Sequence, residues 1–163
     1  MTTSTAEYVD VRTRARELGL PPVADFSILP RGFATATSQE ELTHENDSST
    51  LRKLLGQAGL TVQLLEPSGK LPVSVKKSAD WIAPTLFVGS MLLTQNQYAL
   101  QLALDVIAAY IVDFLKARVP TGRVKVSFVV ETSKSKTFKE LTYEGPPSGL
   151  TAIAPMLREL HDE

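Results

Sequence analysis

The sequence predicts an α+β fold: two antiparallel β-hairpins forming a small sheet, packed against a central apolar helix pair and a C-terminal helix, with an N-terminal helix and an extended arm. Three observations favour it. Two pairs of alternating segments are each joined by a short link, the central third is rich in apolar residues, and the last residues repeat apolar positions at helical spacing. Because the strands come in hairpins, the sheet is expected to be antiparallel.

The N-terminal region is predicted to hold one helix and the arm. Ser4 and Glu7 have the spacing of a capping box, in which each side chain satisfies a free backbone N–H of the other, and an apolar stripe follows. The segment 21–47 shows no sustained helical or strand period, so we interpret it as an arm that packs against the rest of the fold or a neighbouring subunit. The chain is accordingly divided into residues 1–47 and a single α+β domain, 48–163.

The domain is expected to begin with a short helix and the first hairpin. Asp47 or Ser48 caps the helix, and Gly59 ends it. The segments 61–66 and 71–77 alternate in polarity, and the Pro-Ser-Gly-Lys sequence between them suits a tight turn.

The central segment is predicted to form a helix pair. A first helical region covers residues 79–94, and Asn96 caps a longer helix whose apolar positions run almost all round. The segment 81–104 carries no charge over 24 residues, a length that suffices to span a bilayer. Four consecutive polar residues at 94–97 favour buried core helices over a membrane span.

The C-terminal third is predicted to form the second hairpin and a last helix. The segment 124–131 alternates most clearly, and 137–143 is expected to pair with it antiparallel after a short polar link. Two prolines end that strand, and Ser148 is expected to cap the helix. The apolar stripe of this helix consists of Leu150, Ile153, Ala154, Leu157 and Leu160.

Composition excludes several classes of protein. The 163 residues include 17 basic and 18 acidic side chains, and a formal net charge of −1 excludes a globally basic nucleic-acid binder. Without cysteine there is no disulfide, thiolate metal site, iron–sulfur cluster or cysteine nucleophile. The N-terminus lacks the basic and apolar regions of a secretory signal, so a cytoplasmic location is expected.

We find no catalytic pattern and predict neither enzymatic activity, cofactor nor metal. His44, Glu45 and Asp47 are close in sequence, but consecutive residues point in different directions and form no ligand face. Asp105 and Asp113 share one side of a helix about 12 Å apart, farther than the paired carboxylates of glycoside hydrolases. No Gly-x-Ser-x-Gly sequence is present.

The distribution of charge leaves several interpretations open. Seven cations and one anion stand in the segment 116–139, whereas 38–47 carries four acids and no cation. The second hairpin lies mostly in the basic segment, and we call it the basic hairpin. It could contact nucleic acid, bind the acidic segment 38–47 of another subunit, or be solvated. Nucleic acid is disfavoured because no aromatic series is interleaved with the cations. A helix start with free N–H groups beside the basic hairpin is a candidate anion site, consisting of Ser148, Gly149, Lys125, Lys134, Lys136 and Lys139; the alternative is that the two prolines stop a strand and the serine caps a helix.

The central apolar segment suggests an interface. Residues 81–115 carry more apolar surface than a small sheet and short helices cover, although core packing alone is an alternative. The aromatic anchors predicted for such an interface are Trp81, Tyr98 and Tyr110, with Phe26 and Phe33 of the arm. The leading hypothesis is a non-catalytic assembly or regulatory subunit, in a homo-oligomer or hetero-complex. The alternatives are a sensor of an anionic small molecule or nucleotide, and a membrane-acting effector that uses residues 81–115.

Overall fold

A computed structural model describes residues 2–69, 71–74, 81–118 and 122–163, with the backbone alone described at 74, 81, 82, 97 and 114–118. The strands are β1 (Thr2–Tyr8), β2 (Phe26–Ile28), β3 (His44–Glu45), β4 (Gln63–Leu64), β5 (Val73–Ser74), β6 (Trp81–Ile82), β7 (Leu86–Val88), β8 (Val124–Glu131) and β9 (Phe138–Gly145). The helices are α1 (Val11–Glu17), α2 (Ser48–Gln57), α3 (Ser90–Thr94), α4 (Gln97–Arg118) and α5 (Ala154–His161), with 3-10 helices η1 (Gln39–Glu41) and η2 (Pro147–Ala152). A mixed sheet combined with several helices confirms the α+β class, whereas the expectation of an antiparallel sheet is wrong.

Seven of these strands form one mixed sheet. Its order is β1-β9-β8-β7-β2-β4, and the short strand β6 pairs with the start of β8. The pairs β1–β9, β9–β8 and β7–β2 are antiparallel, whereas β8–β7, β2–β4 and β6–β8 are parallel. The strands β3 and β5 pair in parallel as a separate two-stranded sheet.

One of the two predicted hairpins is present. The strands β8 and β9 pair antiparallel over eight residues, from Val124 opposite Gly145 to Glu131 opposite Phe138. The first hairpin is wrong: β4 pairs with β2 and β5 with β3. A hairpin of two such short strands is marginally stable by itself, so the partners of β4 and β5 are set by the rest of the fold. Residues 70 and 75–77 of that prediction lie outside the described part of the chain.

The N-terminal prediction is corrected in two respects. Residues 2–8 form a strand, because a threonine-rich segment suits the pleated edge that β9 offers, and the Ser4–Glu7 capping box does not form. The helix that follows begins after Asp10, whose side chain accepts a hydrogen bond from the backbone N–H of Thr13 at 3.0 Å.

The arm is not separate from the sheet. Strand β2 lies between β7 and β4, so residues on both sides of position 47 contribute to one sheet. The remainder of the arm covers the second face of that sheet through buried side chains that include Leu29, Phe33 and Leu42. A three-residue strand has too few residues to show a period, and for this reason the sequence pattern did not indicate it.

Two apolar cores flank the sheet. The larger core joins one sheet face, including Val126 and Phe128, to α2, α3, α4, η2 and α5. The smaller core lies on the other face, where Phe87 and Val129 pack against α1 and the arm.

The predicted helix over residues 79–94 is mostly wrong. Residues 81–82 and 86–88 are strands, and α3 covers only five residues. Leu86, Phe87 and Val88 are all buried because β7 is covered on both faces, and a short apolar run of this kind has no distinguishing period. Residues 79 and 80 lie outside the described residues.

The long helix α4 is confirmed. Asn96 caps it, with its side-chain oxygen accepting from the N–H of Ala99 at 3.1 Å. In the part of the chain that the structure describes, no helix has the length and hydropathy that a membrane crossing requires.

The burial of the C-terminal stripe is confirmed, but the α-helix carries only Ala154, Leu157 and Leu160 of it, and the predicted cap is wrong. All five stripe residues are buried. Ser148 does not cap the helix: it lies inside η2, which follows Pro146, and α5 begins only at Ala154. Consecutive prolines restrict the backbone there, and a tight 3-10 turn connects the strand to the helix.

Candidate functional site: the exposed face of helix α4

One side of α4 is exposed over residues 98–113, the part of the helix whose side chains the structure describes. Tyr98 is 90% exposed, and Leu102 and Val112 are 40% and 42% exposed. Spacings of three and four residues bring side chains onto one helix face. We call this stripe the α4 face; its residues, all exposed, are Tyr98, Leu102, Asp105, Ala109, Val112 and Asp113.

The opposite side of α4 is in the larger core. Leu100, Leu104, Ile107 and Ile111 are each at most 1% exposed. The apolar surplus noted in the sequence is therefore divided between a core side and an exposed side.

The α4 face is acidic as well as apolar. Between residues 81 and 115 the only charged side chains are Asp105 and Asp113. They stand about 12 Å apart along the helix axis, from the rise of 1.5 Å per residue. Gln101 donates to Asp105 Oδ1 at 3.0 Å and to the carbonyl of Thr151 at 2.8 Å, so one of the carboxylates is held in place.

An open cavity lies beside the start of α4. Its volume is about 640 Å³, and most of its lining is apolar. Met91, on its rim, is 57% exposed. The lining includes Phe26, Leu60, Met91, Leu92 and Ala99.

Asp25 also lines the cavity, but its polar groups are engaged. Its carboxylate accepts a hydrogen bond from the N–H of Leu92 at 3.1 Å, and its carbonyl accepts one from the N–H of Gly89 at 2.6 Å. Asp25 thus connects α3 to the start of β2 and forms part of one wall of the cavity.

The predicted interface residues lie in different environments. Tyr98 is exposed, whereas Phe26 and Phe33 are buried in the larger and the smaller core. Tyr110 is half-buried, and its hydroxyl donates to Asp47 Oδ1 at 2.6 Å. The side chain of Trp81 lies outside the described part of the structure.

The predicted anion-binding residues do not converge. Lys125 is near one end of β8, whereas Lys134 and Lys136 lie in the turn beyond the other end, and an eight-residue strand spans roughly 26 Å. Lys139 Nζ donates a hydrogen bond to Glu163 Oε1 at 2.6 Å, and this bond raises the pKa of Lys139. Ser148 and Gly149 belong to η2, which packs against α4.

A second cavity, of about 350 Å³, lies between the sheet and the arm. Burial raises the pKa of Tyr8, with Glu140 adding to the effect, and burial also raises the pKa of Glu140, against the influence of Lys125. The polar side chains around this cleft include Tyr8, Arg31, Glu45, Lys125, Ser127 and Glu140.

The sequence patterns did not indicate Tyr8 or Glu140 as site residues. Their proximity depends on β1 pairing with β9, which places Tyr8 opposite Phe138 and Ala6 opposite Glu140. The strand character of residues 2–8 could have indicated the pairing with β9. It was not recognised because residues 4–7 were interpreted as a helix cap.

The buried side chain of His44, in the small two-stranded sheet, pairs with the half-buried Glu66. The Nε2 of His44 lies 3.2 Å from Glu66 Oε2, and its buried Nδ1 has no hydrogen-bond partner among the residues that the structure describes. Burial lowers the pKa of His44 more than Glu66 raises it. Among the residues that the structure describes, no group of three His, Asp or Glu side chains is arranged to hold a metal ion.

Comparisons with protein families, with curated proteins and with solved structures found no match to this chain.

Proposed function

We propose that the protein is a non-catalytic assembly or regulatory subunit whose α4 face binds a partner protein. The observation that carries this proposal is Tyr98, an aromatic side chain 90% exposed on a helix face that also presents Leu102 and Val112. Tyrosine rings contribute disproportionately to binding energy when a partner covers them. The adjacent cavity of about 640 Å³ offers room for an apolar side chain of the partner.

The two aspartates suggest the chemistry of the partner. Asp105 and Asp113 lie among the apolar residues of the α4 face, which has no basic side chain. A basic amphipathic helix matches this pattern, because its apolar stripe covers Tyr98 and Leu102 while its cations face the carboxylates.

Two alternatives fit the same face less well. A symmetric antiparallel pairing of two α4 faces would bring both copies of Asp105 together at its centre, and like charges there oppose association. Attachment to an anionic lipid surface is opposed by both aspartates, because such surfaces attract basic helices.

Fluorescence anisotropy with two designed peptides tests the proposal. The first is a labelled helical peptide of about 18 residues, five turns, with leucines on one face and lysines on the other; the second has glutamate in place of lysine. We expect the lysine peptide to bind more tightly. Leu102→Asp should weaken binding at least about tenfold, equivalent to 1.4 kcal/mol.

Charge reversal provides the matched control. Asp105→Lys combined with Asp113→Lys should shift the preference to the glutamate peptide. Glu40→Lys combined with Glu159→Lys changes the net charge equally at exposed positions elsewhere and should leave the preference unchanged. Equal binding of both peptides, or equal effects of the two double variants, would refute the proposal.

A second candidate function, binding of a small zwitterionic molecule, is suggested by the cleft between sheet and arm. Two cations, Arg31 and Lys125, and two acids, Glu45 and Glu140, line this cavity of about 350 Å³. A ligand with one carboxylate and one ammonium group matches these charges better than a nucleotide. Melting temperatures should then rise with free amino acids and not with nucleotides, and Glu140→Gln should abolish the rise. A rise with nucleotides alone, or none, argues against this candidate.

A further inference from the structure

Strand β1 forms one edge of the seven-stranded sheet. All seven of its residues pair with β9, from Thr2 opposite Glu144 to Tyr8 opposite Phe138. Its outer side pairs with no strand in the described ranges of the chain. Residues 2–7 are exposed and Tyr8 is half-buried, so a row of backbone donors and acceptors is open to solvent.

This edge lacks the features that usually protect sheet edges. Protected edge strands are short or carry lysine, proline or a bulge. Strand β1 has seven residues, a continuous register with β9, no proline, no basic residue and one charge, Glu7. The opposite edge strand, β4, has only two residues and is therefore protected by its shortness.

We propose that β1 pairs with β1 of a second copy of this chain, antiparallel across a two-fold axis at Thr5. In this register Thr2 faces Tyr8, Thr3 faces Glu7, Ser4 faces Ala6, and the two copies of Thr5 meet. The arrangement continues the sheet from one chain into the other. It concerns a surface other than the α4 face and goes beyond the proposed function.

The chemistry of β1 favours a second copy as the occupant. Antiparallel pairing about Thr5 uses all seven residues of both strands, and opposed residues share a sheet face. The one charged residue, Glu7, meets Thr3 instead of another acid, and Lys139 of the adjacent strand lies 3.9 Å from Glu7. Threonine pairs across strands are favourable, and a two-fold interface needs this self-complementarity.

The dimer would present two α4 faces. Strand β1 is at the sheet edge, whereas α4 packs on one sheet face, so pairing of the edges leaves the α4 faces available. Two linked faces would strengthen binding to a partner that carries two basic helices.

Light scattering after size exclusion tests the pairing. We expect a dimer with a dissociation constant on the order of micromolar. At about 100 µM the wild-type mass should therefore approach twice the 17.8 kDa of one chain, and it should fall on dilution. Thr5→Lys and Thr5→Glu should each be monomeric, because like charges then meet on the two-fold axis. A mixture of these two variants should recover the dimer.

Matched variants and a measurement on the wild-type protein complete the test. Thr50→Lys and Thr50→Glu place the same charges on the exposed side of α2 and should remain dimeric. Hydrogen exchange in the wild-type protein should show protection of the β1 amides that increases with protein concentration, a result that requires no variant to fold. A monomeric wild type, a dimer that persists in both Thr5 variants, a mixture that stays monomeric, or concentration-independent exchange would each overturn the proposal.

Discussion

The hydroxyl of Tyr143 packs directly against the backbone of Gly149. Tyr143 lies near the end of β9, and its hydroxyl donates a hydrogen bond to the carbonyl of Pro146. A Cβ atom at Gly149 would overlap the hydroxyl oxygen of Tyr143. The missing side chain at Gly149, which the sequence suggested as part of an anion site, thus has a packing role where β9 meets η2.

We expect Gly149→Ala to destabilise the protein by roughly 1–3 kcal/mol, the usual cost of overpacking. Tyr143→Phe removes the hydroxyl, at about 1 kcal/mol for a lost hydrogen bond, and should reduce the cost of the alanine in the double variant. Urea unfolding of the wild type, both single variants and the double variant measures the coupling. If the free-energy costs of the two substitutions were strictly additive, this would contradict the contact between Tyr143 and Gly149.

Two leucines on α4 separate its core side from its exposed side. Leu104 is fully buried and Leu102 is 40% exposed, two residues apart on one helix. We expect Leu104→Ala to lower the free energy of unfolding by about 2–5 kcal/mol, and Leu102→Ala to change it by less than about 0.5 kcal/mol. Urea unfolding of the two variants provides a matched comparison. Similar losses at both positions would mean that Leu102 already has a structural partner.

His44 makes stability depend on pH. Its side chain is 6% exposed, and burial lowers its pKa in the folded state, with a smaller contribution from Arg52 and opposition from Glu66. As the pH falls past the ordinary histidine pKa of about 6.5, the unfolded chain therefore takes up the proton at His44 before the folded chain does. The stability that His44 contributes is present above that pH and is lost as the pH falls below it.

The variant His44→Gln isolates this effect. Glutamine does not titrate and can still donate a hydrogen bond to Glu66. Between about pH 7 and pH 5 we expect the wild type to lose more stability than the variant, as measured by urea unfolding at each pH. Parallel pH profiles would show that His44 titrates alike in both states.

The elements that sequence patterns identified correctly are the longest ones. The helix α4 covers 22 residues, and β8 and β9 are each eight residues long and adjacent in sequence, so local patterns and local pairing determine them. The strands β2 and β7 have three residues each and are buried among distant segments, and their structure depends on tertiary contacts. At residues 2–8 a local capping signal was overridden by pairing with β9, whose paired residues lie 130 to 142 positions away.

The candidate site shows the same division. Tyr98 was predicted as an anchor within a recognisable helix, and the structure exposes it on that helix. Phe26 and Phe33 stand in a segment without a period, so the sequence could not distinguish a buried aromatic ring from an exposed one. The acidic character of the α4 face became meaningful only when Asp105 and Asp113 were seen beside the exposed apolar residues.

Photo-crosslinking in living cells tests the central claim, binding of a partner at the α4 face, most directly. A benzoylphenylalanine at position 98 would be irradiated, and the crosslinked peptide would be identified by mass spectrometry; position 50, exposed on α2, is the control. We predict crosslinks from position 98 to one basic amphipathic segment, absent from position 50 and lost when Leu102→Asp is added. No crosslink at position 98, or the same products from both positions, would contradict the claim.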